Sequence, residues 1–214
     1  MIRLSPSKLN LFLECPLCFW LQEKEGVKRP VGVFPSLPGG MDLVLKKYYD
    51  NYRNSLPPEL NGRVNGRLLA DSELIKKFRD WRKFFFEEED ATLYGAMDEC
   101  LFDEGMYMPL DFKTRGFDLK EDSTGFYQNQ LDCYALILEK NGYEQPGYAY
   151  LVYYIPKEVG GNGRVDFKIQ VERIGTNTKR AYTIFRSAVE LLRGKKPEPN
   201  PQCEYCKYRA DNGL

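Results

Sequence analysis

Two C-x2-C pairs stand near opposite ends of this 214-residue chain, Cys15 and Cys18 in LECPLCFW and Cys203 and Cys206 in PQCEYCKY. Each pair presents two thiolates from one turn of chain, and two such pairs make a four-sulfur metal site. Any fold must then bring residues 15–18 and 203–206 together. A metal held by all four would clasp the first helix (residues 5–24) to the C-terminal tail (197–209) and close a long loop. Spacing leaves the metal open, because a tetrahedral sulfur set suits zinc or an iron–sulfur cluster. The plain alternative is four reduced, unrelated thiols. Cys100 and Cys133 fall in the apolar patterns of a strand and a helix, and read as small core residues.

The chain contains no histidine, which removes imidazole acid–base chemistry, histidine metal ligands and Ser-His-Asp triads. Its 31 basic and 31 acidic side chains cancel, so composition makes no case for nucleic acid, and only a local basic face could supply one. Apolar residues at 43% support a globular core in one domain spanning 1–214. MIRLSPSKLN lacks the order of a secretory leader, and no apolar run approaches a membrane span. A cytoplasmic protein without disulfides and without a membrane partner is the expectation.

Periodicity predicts helices over 5–24, 41–53, 71–90, 123–142 and 176–196, strands over 147–156 and 163–174, and an apolar hairpin over 93–116. This mixture predicts an α/β fold with a mixed central sheet flanked by helices. In segment 71–90, Leu74, Phe78, Trp81 and Phe85 follow helical spacing, with Lys76, Lys77, Arg79, Arg82 and Lys83 on the polar side. A solvated face is the first reading of those cations and a DNA-facing one the second.

The hairpin holds two acids and a base. Asp111 and Lys113, two apart in a strand, share a face, and Asp98 on the expected partner strand can face them. Burying them calls for a partner, and a divalent ion needs only one or two carboxylates. A structural salt bridge explains a lone D-x-K equally well.

Order adds weight. Gly95-x-x-Asp98, Asp111-x-Lys113 and Gln130-x3-Tyr134, preceded by SPSKLNLFLECPLCFWL and followed by CEYC, resemble the PD-(D/E)xK nuclease superfamily, in its RecB-like branch that includes CRISPR-adaptation exonucleases. The resemblance implies a restriction-endonuclease-like core and a DNA exonuclease or end-processing activity. Asp98 and Asp111 would hold Mg2+ or Mn2+, Lys113 would act on the attacking water, and Gln130 and Tyr134 would orient the site. It implies a four-iron, four-sulfur cluster on Cys15, Cys18, Cys203 and Cys206, with zinc as the alternative. It also implies DNA, single-stranded or at duplex ends, and a helicase or CRISPR adaptation partner. Tyr127, Arg115, Lys120 and the cations of 76–83 are the expected DNA contacts. Two features depart from the family: the cysteines divide two and two, and the metal-binding histidine of the second helix is absent. Asp42 is the nearest replacement, although an acid is also favourable at a helix start. A non-catalytic DNA-binding or scaffold module of the same fold is the alternative function.

Overall fold

In the computed structural model, which describes residues 1–30, 32, 36–119 and 124–211, the first predicted helix is broken where the first cysteine stands. β1 (Ile2–Leu4) leads into α1 (Pro6–Glu14), whose N–H of Lys8 is capped by Ser5 Oγ at 3.4 Å. α1 stops at Cys15, because a residue before proline is pushed out of the helical region. Cys15 then caps α2 (Pro16–Trp20), its Sγ accepting from Cys18 N at 3.5 Å. The chain continues as a π turn, Leu21–Glu25, and ends at left-handed Gly26. The expected single helix over 5–24 is thus three short pieces with Cys15 at the first joint.

α3 (Ser36–Asp50) begins about one turn before the predicted 41–53 and ends three residues earlier. β2 (Arg67–Leu68) follows. The largest correction falls on 71–90. Asp71 caps α4 (Ser72–Arg79) through Glu73 N and Leu74 N, but the helix ends at Asp80. Residues 85–88 form β3 (Phe85–Glu88), which turns back antiparallel onto β4 (Ala91–Tyr94). Aromatic side chains favour strands, and Phe84 and Phe86 bury in the core from there, so packing overrides the helical spacing. β1 pairs parallel to β4, giving a three-stranded sheet β1-β4-β3.

The second sheet has order β2-β5-β6-β7-β8. β5 (Glu99–Asp103) and β6 (Met106–Thr114) are joined by Glu104-Gly105, both at positive φ, as a tight hairpin requires. The hairpin is therefore 99–114. Residues 93 and 94 belong to the other sheet, and Asp98 lies just before β5, not on it. β7 (Tyr148–Val159) runs parallel to β6, and β8 (Val165–Gly175) returns antiparallel. The parallel β6-to-β7 crossover passes through α5 (Gln128–Lys140), which follows a 3-10 turn at Gly125–Tyr127 and ends at Asn141-Gly142. α6 (Thr178–Arg193) and α7 (Glu204–Asp211) complete the chain.

One core lies on the α5 side of the large sheet, with Leu136, Tyr153 and Phe185. A second lies under α3, with Tyr49, Phe112 and Tyr154. Cys100 and Cys133 are fully buried in the first, where burial pushes their thiols well above the ordinary range. No helix among the described residues is long and apolar enough to cross a membrane.

Candidate active site and cysteine cluster

Alternation along β6 sends Leu110 and Phe112 into the α3-side core and turns Asp111 and Lys113 toward α5. Asp111 is 1% exposed. The Lys113 ammonium lies against Asp111 Oδ2, yet no N–H is aimed at that oxygen as a hydrogen bond. α5 meets this pair with Gln130, whose amide bridges it: Nε2 donates to Asp111 Oδ1 at 3.0 Å, and Oε1 accepts from Lys113 Nζ at 3.2 Å. Gln130 Nε2 also reaches Tyr134 Oη at 2.7 Å, and the Tyr134 hydroxyl donates to Ala96 O at 2.7 Å. Burial, then the charges of Asp111 and Asp98, hold the Tyr134 phenol well above its usual range, so it stays a donor. Tyr127 covers the other side of Lys113, with Nζ 4.3 Å from its ring centre.

Asp98 enters from the segment before β5. Its Oδ2 accepts from Phe112 N at 2.9 Å, which ties it across the hairpin to the residue after Asp111. Its Oδ1 faces Lys46 Nζ of α3 at 2.9 Å. Lys46 also reaches Asp42 Oδ2, one helical turn earlier, at 2.8 Å. Asp42 thus joins the edge of the site through Lys46. Burial, then the charge of Asp111, raise the Asp98 carboxyl from its ordinary value despite Lys46. Burial likewise raises Asp42, and its bond to Lys46 only partly opposes this.

The structure therefore brings Asp98, Asp111, Lys113, Gln130, Tyr134 and Asp42 into one region. Lys46 was missed in the sequence, although its i+4 spacing from Asp42 was visible. Also missed was the support beneath Asp98. Fully buried Glu99 pairs with Arg53 and with Arg79, and Arg79 Nε donates to Asp98 O at 2.9 Å. Arg79 is thereby committed to the site's scaffold and corrects its expected place in a DNA-facing row. Lys76 pairs with Glu73, while Arg82 and Lys83 lie near Asp80. Arg115 lies just past the end of β6, its N–H donating to Tyr154 O at 3.1 Å, and Lys120 lies outside the described residues.

At the other end of the molecule the four cysteine sulfurs meet, all within 4.8 Å of one another and all buried. Cys15 and Cys206 are 3.6 Å apart, Cys18 and Cys203 3.7 Å, and Cys18 and Cys206 4.0 Å. Arg29 donates to Cys203 Sγ at 3.4 Å, is held by Glu14 and stacks on Tyr205. A cation beside four thiols offsets the negative charge they carry as metal ligands. The four sulfurs can hold a metal.

A family model matches nearly the whole chain. The PD-(D/E)XK nuclease superfamily model covers residues 3–210. The chain belongs to this superfamily. A PD-(D/E)XK fold accounts for the mixed sheet and its flanking helices, and nucleases of this superfamily use divalent metals. This PD-(D/E)XK chain is also similar to a solved structure described as "Crystal structure of SSO0001", at 13% identity and a TM-score of 0.45, over 98% of this chain and 85% of that one. No curated protein matches it.

Proposed function

We propose that this PD-(D/E)XK protein is a Mg2+- or Mn2+-dependent deoxyribonuclease of the RecB-like kind, acting as an exonuclease or in processing DNA ends. The observation that carries the reading is the buried Asp111 paired with Lys113, with Asp98 tied beside it through Phe112 N. The donor set fits a hard divalent cation: the groups are carboxylates, and burial disfavours leaving them charged without a cation. Asp98 and Asp111 would hold the ion, with Asp42 at its margin. Such an ion, when bound, activates water and neutralises charge on the phosphate.

The remaining work falls to the chain itself. Gln130 holds Asp111 and Lys113 in fixed relation, and Tyr134 anchors Gln130 to the backbone of Ala96. Lys113, confined by Asp111, Gln130 and Tyr127, positions the attacking water or offsets developing negative charge. A helicase or a CRISPR adaptation machinery is the proposed source of the DNA ends. At the cysteine cluster, three sulfur pairs 3.6–4.0 Å apart and all four sulfurs within 4.8 Å support a reading of a single zinc ion. Zinc–sulfur bonds of about 2.3 Å place tetrahedral thiolates about 3.8 Å apart. A four-iron cluster, with each thiolate on a different iron, spreads them wider.

The test is incubation with single- and double-stranded DNA and Mn2+. Degradation should be abolished by Asp111→Ala and by Lys113→Ala; degradation that survives both unchanged overturns the assignment. The second reading, a DNA-binding module without catalysis, is favoured by Lys46, which neutralises Asp98 and Asp42 from within. DNA binding with no cleavage in any divalent metal would select it. A colourless preparation with one zinc per chain is expected, and a brown one with iron and labile sulfide overturns the zinc assignment.

A further inference from the structure

A cleft of about 480 Å³ is lined in part by Gln130 and Tyr134, in the size range of small-ligand sites. Its floor is Gly95-Ala96, where a side chain at Gly95 would meet the Tyr134 ring at 2.8 Å. Ser7 and Asn10 of α1 supply polar groups along one wall. The other wall is aromatic. Trp81 is 41% exposed, and its ring centre lies 5.4 Å from that of Tyr94.

Two guanidinium groups frame this wall. Arg3 lies over both rings, at 5.4 Å from Tyr94 and 5.8 Å from Trp81, and Arg82 lies 4.5 Å over Trp81. Arg3 has no ion-pair partner among the described residues. The indole is thus partly open to solvent, with guanidinium groups beside it.

Aromatic faces interleaved with arginines are the chemistry that binds unpaired nucleotides: the rings stack on the base, and the guanidinium groups take the phosphate. The cleft also shares Gln130 and Tyr134 with the carboxylate site, which makes the two neighbours. We propose that this cleft is a nucleobase-stacking subsite, in which Trp81 and Tyr94 hold an unpaired base of a single strand while Arg3 and Arg82 neutralise its phosphates. The proposal deepens the nuclease reading and makes single-stranded DNA the substrate class.

The chain has two tryptophans, Trp20 and Trp81. An Asp111→Asn, Trp20→Phe protein therefore reports on Trp81 alone, without cleaving the probe. Oligothymidine should quench that fluorescence, and an abasic oligomer of the same length should not. Trp81→Ala in the Asp111→Asn background should weaken oligothymidine binding by about five- to a hundredfold, with little effect on the abasic strand. If Trp20→Phe disturbs the cysteine cluster, the difference between parent and Trp81→Phe spectra gives the same reading. Oligothymidine that binds without quenching Trp81 and equally well to Trp81→Ala overturns the proposal, as does failure to bind. Failure of the nuclease reading shows separately, as an absence of cleavage by the unmodified chain in Mn2+ while quenching persists.

Discussion

At the scale of single residues the site is a set of constraints on two carboxylates. Gln130 is held at three points, and loss of the outermost one should loosen the rest. Tyr134→Phe removes the hydrogen bonds to Ala96 O and Gln130 and keeps the ring. A hydrogen bond is worth about 1 kcal/mol, so a rate loss of roughly tenfold is expected in steady-state nuclease assays, with folding intact by circular dichroism. Gly95→Ala should do as much from the other side, because the new methyl meets the Tyr134 ring. Asp98 carries the pH dependence. Its raised proton affinity means that ionised Asp98 costs the metal-free protein stability above its folded pKa, and the cost fades as pH falls through it. Mn2+ affinity, measured by titration calorimetry, should therefore fall as pH drops from neutral into the upper carboxylate range. Asp98→Asn should flatten that dependence and raise the melting temperature of the metal-free protein. A pH-independent affinity would contradict this account.

At the scale of elements, the site depends on how β5 is entered. Glu99, fully buried, gathers Arg53 from the end of α3 and Arg79 from the end of α4, and Arg79 also grips the Asp98 carbonyl. Glu99→Gln leaves two guanidinium groups short of charge in a buried place. Urea unfolding should report a loss of about 3–5 kcal/mol, with loss of nuclease activity beyond what the remaining folded fraction explains. This network also marks how far the sequence was legible. The D-x-K strand, the Q-x3-Y helix, both late strands and α6 follow from period and spacing, because each buries one continuous face, whereas α7 falls where the sequence predicts only a tail. Residues 71–90 misled because Trp81 and Phe85 extend the helical spacing past the true end at Asp80. What decides that end is the core waiting for Phe84 and Phe86, a long-range fact. Asp98 looked like a strand residue for the same reason: nothing local says that Tyr94 and Glu99 belong to different sheets. Glu99 and the Lys46–Asp98 pair left no local signal because their partners lie elsewhere in the chain.

At the scale of the whole molecule the cysteine cluster is the largest long-range link. Cys18 and Cys203 are 185 positions apart. A cross-link closing a loop of that length removes enough unfolded-chain entropy to stabilise the fold by about 5 kcal/mol, as an upper figure. Cys203→Ser with Cys206→Ser should therefore abolish metal binding and lower the urea midpoint, with an increased dependence on denaturant as the unfolded chain expands. An unchanged midpoint would mean that the four thiols act independently. The candidate carboxylates Asp111, on β6, and Asp98, just before β5, are not on this link, so residual activity of the folded fraction should persist.

The joint at Cys15 gives this link a mechanical meaning. A tension applied between α1 and α7 does not pass along the strands. It is carried first by the metal–thiolate bonds, a short path that bypasses nearly the whole chain. Stretched in an optical trap, the metal-loaded molecule should hold to one abrupt rupture that releases all of the intervening contour at once. The chelated molecule should yield earlier and in smaller steps, as the sheet is drawn apart.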